Sequence, residues 1–442
     1  MGHHNGVVIS HFNINGFSNG GMFAGVEQIM NTQRRMLEYE GILVKYLVGK
    51  TDHSDPEKES IIVYPEIDSG RHLWKNGDTL VEEEIVESMV RTILQIKGNK
   101  SIIGHNTTNA AGHNPAFGVA FSKVMEISTR DGLPAVMWVH DARKATLSQL
   151  AKFIPQVDGA TLACVSRVRE VQLKEILSRI HNELDIQLPE LNILTIPNPI
   201  DPIFFNPNFN IPHTIDELAP NFDSFSTEWQ SKLTKSEIEK IIFEKNGETQ
   251  IFILPARLVI QKNIQYAIQI LQEYSKQVHQ RVMLILTGIP DTRKAENIKY
   301  WQDIQTLLKN NASLNNNFDV VCMGGVAWEN MPWLYKQVDA LFMPAKQEGF
   351  GLTPVEGAVC GLPVIISNDP AMVETTGGNC LVIDLNTIEG SSAQSALAIY
   401  NYFKSSQPYI DQVNLCNLAI NSYSPGKIIS QLLSVVGYDS ES

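Results

Sequence analysis

"ALFMPAKQEGFGLTPVEGAVCGLPVIIS", residues 340–367, decides the fold. An apolar run, Ala340–Ala345, gives way to polar residues and the sequence Glu348-Gly349-Phe350-Gly351. A helix-compatible stretch from Leu352 follows, broken at Gly361, and then a second apolar run, Leu362–Ser367. Both apolar runs are continuous rather than alternating, as in strands buried on both faces. Two such strands joined through a helix form a parallel βαβ unit.

The same alternation extends upstream. "TQIFILPARL" reads as a strand, "NIQYAIQILQEYSKQVH" as a helix and "RVMLILTG" as a strand. "NFDVVCMGG" adds a strand, "NMPWLYKQV" a short helix and "DALFMPA" a strand. The first half follows suit with "GVVISHF", "ILVKYLVG", "SIIGHN", "PAVMWVHD", "GATLACVS" and "NILTIPNPID" as strands. "VEQIMNTQRRMLEYEG" has helical spacing and stops at Gly41. Residues 202–245, rich in Pro, Asn, Asp and Phe, lack periodicity. The expected organisation is α/β: a doubly wound domain over 1–200, a linker with an irregular insertion over 201–245 and a second doubly wound domain over 246–420. A C-terminal segment, 421–442, is expected to pack back on the first domain.

Composition narrows the function. The chain has 442 residues, 43% hydrophobic and 19% charged, with a formal net charge of -13. That charge disfavours a nucleic-acid partner. No apolar run is long enough to span a bilayer, and no signal peptide is evident in the residues before the first strand, so none is expected. Five cysteines, scattered and without a CxxC pair, suit a reducing cytoplasmic setting.

Ligands of doubly wound sheets bind beyond the carboxyl ends of the strands. Glu348 falls at such an end. Gly349 and Gly351 allow close backbone approach, and the loop then enters a helix that carries Glu356. Two carboxylates there suit the hydroxyl groups of a sugar and a ribose, the alternative being two solvated side chains. Arg257, just past a strand, and Lys262, before the next helix, suit a diphosphate or are solvated cations. The loop with Gly20 and Gly21 is either a phosphate turn or a plain surface loop; it lacks GxGxxG and a P-loop lysine. His140 ends a buried strand, where it is either structural or turned to a ligand. His105, Asn106, Asn109 and His113 lie on "IGHNTTNAAGHNP", read as a polar loop that suits an acceptor. The histidines lack metal-ligand spacing and no Asp-x-Asp occurs, so no metal is expected.

"QEGFGLTPVEGAVCGLPVIIS" resembles the Glu-x7-Glu region of the family 4 retaining glycosyltransferases. "LPARLVIQKN", "ILTIPNPIDPIFF" and "AGVEQIM" resemble further segments of that family, in the same order. The resemblance implies the GT-B architecture, two Rossmann-like doubly wound domains facing across a cleft. It implies transfer of a hexose-type sugar from a nucleotide diphosphate sugar, with retention; the polar loops around Asn106, Asn109 and His113 suit a soluble hydroxylated acceptor or a protein side chain. No cofactor beyond that donor is implied.

Carried over by position, the catalytic set is His140, Glu348, Arg257 and Lys262. Arg257 and Lys262 would hold the diphosphate, and Glu348 with the Gly349 and Phe350 amides the sugar. Glu356 would take the ribose, Val326 the base, and Gly20 and Gly21 the phosphates from the first domain. Pro199, Gln261, Gly357 and Ala24 depart from the family pattern. The competing functions are a sugar-nucleotide epimerase and a non-catalytic nucleotide-sugar-binding module. The latter is disfavoured because Arg257, Lys262, Glu348 and Glu356 are all present.

Overall fold

The computed structural model describes residues 6–15, 25–56, 60–72, 83–143, 145–206, 208–223, 233–245, 247–289, 295–311, 317–385 and 391–438. The chain divides into two units, residues 1–201 with 422–442, and residues 202–421.

The first unit is a seven-stranded sheet, every neighbouring pair parallel. Its strands are β1 (Val7–Ile14), β2 (Val44–Thr51), β3 (Ile61–Val63), β4 (Ser101–His105), β5 (Ala135–Val139), β6 (Thr161–Cys164) and β7 (Asn192–Thr195). Their order is β3-β2-β1-β4-β5-β6-β7, so the direction of winding reverses between β1 and β4. Continuous burial along β1, β4 and β5 explains their unbroken apolar runs. Gly104 in β4 is required by packing: a Cβ there would lie 2.3 Å from Phe121 Cζ on the helix Pro115–Arg130. The last helix, Pro425–Val435, belongs to this unit. Beyond it the Val436 carbonyl accepts from Ser101 Oγ at 2.6 Å, and Tyr438 Oη accepts from the Gly6 N–H at 3.1 Å.

The second unit is a six-stranded parallel sheet of β8 (Thr249–Leu254), β9 (Arg281–Leu286), β10 (Phe318–Cys322), β11 (Ala340–Met343), β12 (Val364–Ser367) and β13 (Leu381–Ile383). The order β10-β9-β8-β11-β12-β13 reverses between β8 and β11. Each unit is thus doubly wound, with one topological switch point.

Residues 202–245 differ from the irregular insertion expected. They hold a helix, Lys235–Glu244, whose start is fixed by a capping box between Thr234 and Glu237. A short helix, Ile215–Leu218, precedes it. Phe204 packs edge-on against Trp328, ring centroids 5.1 Å apart, and the Leu218 carbonyl accepts from the Ala327 N–H at 3.2 Å. The segment is part of the second unit. Its polar composition hid this because its few apolar residues serve short elements. Among the described residues no helix is long and apolar enough to cross a membrane.

Candidate functional site

At the switch point of the second unit, the loops after β8 and β11 lie side by side. A Cβ on Gly288 would sit 2.0 Å from the Ala256 carbonyl oxygen, so only glycine lets the β9 loop close on the β8 loop. The Leu258 N–H donates to the Ile289 carbonyl at 3.1 Å, which anchors the turn that carries exposed Arg257. A 3-10 turn, Ile260–Lys262, follows and ends at Asn263 in the left-handed region, φ 54°. The Lys346 N–H donates to the Gln261 carbonyl at 2.8 Å and ties the β11 loop to this turn. Across that tie Lys262 Nζ pairs with the Glu348 carboxylate, both side chains mostly buried.

The β11 loop is held at several points. Its Glu348 N–H donates to Asp369 Oδ2 at 3.3 Å, while Asp369 Oδ1 caps the helix Pro370–Thr376 through the N–H groups of Ala371 and Met372. The Phe350 carbonyl accepts from Thr375 Oγ1 at 2.6 Å. Gly351, φ 95°, starts the helix Leu352–Val359, a conformation that strains any other residue. Glu356 lies in the second turn of that helix and is buried, 3% exposed. Burial and then the Glu356 charge push the Tyr335 hydroxyl and the Cys360 thiol up, the thiol to about 12. Gly357, a departure from the family pattern, has a packing cause: Leu341 Cδ1 lies 2.7 Å from where its Cβ would be.

After β10, Gly324 and Gly325 take φ of 66° and 104°. The Gly325 N–H donates to the Thr287 carbonyl at 3.0 Å, which presents Val326 at the same carboxyl edge of the sheet.

The first unit's switch point has another character. Three histidines stand on three adjacent strand ends: His11 in β1, His105 closing β4 and His140 after β5. His105 Nδ1 is 3.0 Å from His140 Nε2, and His105 Nε2 is 2.9 Å from Gln33 Oε1. His11 Nδ1 donates to the Asn13 carbonyl at 2.8 Å and His11 Nε2 accepts from Asn106 Nδ2 at 3.1 Å. Burial pulls His11 down to about 4 and His140 to about 3, and pulls His105 well below its ordinary value. Beside them Asp141 binds Arg143 through both oxygens, at 2.9 and 3.1 Å. Burial opposes its ionisation, but the Arg143 side chain and backbone N–H hold its carboxyl low.

Two acceptor-side expectations change. His105 is fully buried and Asn109 only 6% exposed. Residues Thr107–Gly112 form a 3-10 helix packed over the strand ends instead of the expected polar loop. Asn106, at φ 58°, is turned to His11. His113 stacks on Phe12 at 5.1 Å and contacts Ser69 Oγ at 3.0 Å. Gly20, Gly21 and Ala24 lie outside the described residues. His11, Gln33 and Asp369 were not singled out from the sequence. His11 alone had a signal, a polar residue near the end of an apolar strand. Among the described residues no group of three or more His, Cys, Asp or Glu is placed to hold a metal ion.

Residues 235–402 match the family model described as glycosyl transferases group 1. The O-antigen chain mannosyltransferase B of Escherichia coli is 31% identical over 132 residues, 30% of this chain and 32% of that protein. The O-antigen biosynthesis glycosyltransferase WclY of Escherichia coli is 33% identical over 76 residues, 17% of this chain and 20% of that one. The chain spans a third or less of the length of these curated relatives. A glycosyltransferase from Rickettsia africae superposes with a TM-score of 0.64 at 14% identity, over 98% of each chain. Anabaena HepE, solved with UDP and glucose, superposes with a TM-score of 0.62 at 15% identity, over 98% of this chain and 99% of that one. At such identities the likeness is one of fold: two Rossmann-like parallel-sheet domains, as in the GT-B glycosyltransferases.

Proposed function

We propose that the protein is a group 1 type glycosyltransferase that moves a hexose-type sugar from a nucleotide diphosphate sugar to an acceptor hydroxyl, with retention and without a metal. The observation that carries this reading is the Lys262–Glu348 pair at the β8/β11 switch point, inside the segment similar to group 1 glycosyltransferases. A cation and a carboxylate on adjoining strand-end loops suit a ligand with a diphosphate beside a polyol. In this reading Arg257 and Lys262 bind the diphosphate, and Glu348 with the Gly349 and Phe350 amides binds the sugar. Buried Glu356 accepts from the ribose hydroxyls, the backbone at Val326 meets the base, and His140 serves the transferred sugar. Two of the similar proteins are named for O-antigen synthesis, which favours a saccharide hydroxyl as acceptor.

The chemistry follows from the charges. The bond from the anomeric carbon to the diphosphate oxygen breaks, and that oxygen keeps the electron pair. Arg257 and Lys262 stabilise the developing charge. The acceptor oxygen bonds to the anomeric carbon on the same face and its proton passes to the departing phosphate. No described carboxylate is assigned as a covalent nucleophile, so displacement is preferred to a glycosyl-enzyme.

Incubation with a panel of nucleotide diphosphate sugars and saccharide acceptors, with and without EDTA, tests the proposal. Nucleotide release together with an acceptor heavier by one hexosyl unit supports it, and the anomeric proton coupling of the product reports retention. Epimerised donor without nucleotide release would reject the transferase. Activity lost on chelation and restored by Mn or Mg would reject metal independence.

A further inference from the structure

The buried histidines of the first unit have a chemical order that the proposed transfer does not by itself require. Gln33 comes from the helix Val26–Tyr39 and is fully buried. Its Oε1 faces His105 Nε2 at 2.9 Å. A carboxamide oxygen only accepts, so with Oε1 rather than Nε2 of Gln33 placed toward the ring His105 carries its proton on Nε2. His105 Nδ1 then holds a lone pair, and the group facing it at 3.0 Å is His140 Nε2. That contact is a hydrogen bond only if His140 donates, so the His140 proton is on Nε2 and its Nδ1 is an acceptor.

The chain does not end on a carboxylate: Asp141, next to His140, is engaged by Arg143. His11, on the adjacent strand, has its own tautomer fixed by the Asn13 carbonyl and the Asn106 amide. Near-complete burial of the rings disfavours the imidazolium form throughout. The rings of His105 and His140 meet edge to edge, 25° from coplanar with centroids 5.3 Å apart, a geometry that suits the in-plane hydrogen bond.

We infer that Gln33 and His105 are positioning residues that hold His140 as its Nε2–H tautomer, with Nδ1 presented as a hydrogen-bond acceptor. The role of Nδ1 in transfer rests on the function proposed above; the tautomer does not. An acceptor nitrogen at this place suits a hydroxyl of the transferred sugar or of the acceptor. Neither Gln33 nor His105 touches substrate in this scheme, and each acts through His140.

The test has a spectroscopic arm and a kinetic arm. Full-length protein labelled with 15N-histidine gives the protonation of each ring nitrogen by long-range proton–nitrogen correlation, with His140 assigned by its loss in His140→Gln. The expected pattern is protonated Nε2 and bare Nδ1, unchanged between pH 5.5 and 8. His105→Leu and Gln33→Leu should each turn His140 into a tautomer mixture and lower kcat at least about tenfold, with donor KM nearly unchanged. His105→Asn, whose Oδ1 can accept in place of Nδ1, should restore both. Protonated Nδ1 in the parent protein, or a mixture there, overturns the inference without any variant. So does a normal kcat in both leucine variants that shows the tautomer mixture. If no donor is turned over, the proposed function fails while the spectrum still decides the relay.

Discussion

Glu348→Gln separates the two jobs that the Lys262 ammonium would have. Lys262 pairs with Glu348, with side-chain exposures of 18% and 16%. The pair therefore stands between the exposed case, worth up to about 1 kcal/mol, and the buried case, where removing one partner costs about 3–5 kcal/mol. A charge-assisted hydrogen bond of about 1.5 kcal/mol fits between them. Glu348→Gln should therefore lower unfolding free energy by about 1.5 kcal/mol, read by urea denaturation. A nucleotide diphosphate competes with Glu348 for the same ammonium. Removal of the carboxylate charge should return that energy to binding, so the nucleotide diphosphate should bind about tenfold tighter, since about 1.4 kcal/mol is one decade. Lys262→Met should lower stability by a similar amount but weaken nucleotide diphosphate binding. Calorimetric titration of each variant reads the sign. Weaker binding in Glu348→Gln would mean that the carboxylate helps hold the ligand and that Lys262 is not shared in this way.

Arg257→Ala should leave stability nearly unchanged, because the side chain is exposed, and lower transfer about a hundredfold, the effect of losing one donor to developing charge. Gly288→Ala forces a Cβ against the Ala256 carbonyl at 2.0 Å and should lower the melting temperature and nucleotide affinity together. Gly357→Ala meets only the tip of Leu341 at 2.7 Å and should cost less than about 1.5 kcal/mol by urea denaturation. Low pH should destabilise the first unit through its histidines. Folded His11 and His140 titrate near 4 and 3, below the unfolded 6.5, so their contribution is complete above 6.5 and is lost as pH falls through that window. The loss is about 1.4 kcal/mol per pH unit for each ring, and His11→Asn should flatten the slope of urea stability between pH 6.5 and 5 by that amount.

The sheet was legible where burial on both faces makes a strand a continuous apolar run, as in Ile251–Leu254 or Val136–Val139. It was not legible at β3 and β13, three-residue edge strands too short to carry a period. The helix Lys235–Glu244 announced itself through Thr234 and Glu237, but its polar surroundings outweighed that signal. Glu348 and Lys262 could be named as strand-end residues, yet their pairing spans 86 positions and depends on β8 and β11 being neighbours. Gln33 was hidden for a physical reason. A glutamine at a buried helical position looks like a break in amphipathicity until the residue opposite, His105, is known.

The two switch points use one topology for opposite electrostatics, and the proposed reaction gives a reason. A departing diphosphate gains negative charge, so ionised groups with exposed or partly exposed heads belong there, and Arg257 and Lys262 answer that need. At the first unit's switch point a neutral ring with a lone pair can accept a hydrogen bond from a hydroxyl group, which an imidazolium cannot. Burial supplies that neutrality, because desolvation penalises the charged form of each histidine. Burial alone leaves the ring free to choose between tautomers, and a lone pair on the wrong nitrogen would put an N–H where an acceptor is wanted. The hydrogen bonds from His140 to His105 and from His105 to Gln33 remove that choice. An imidazole kept neutral by packing and oriented by an amide needs no carboxylate partner, which accounts for Asp141 being turned to Arg143 rather than to the ring beside it.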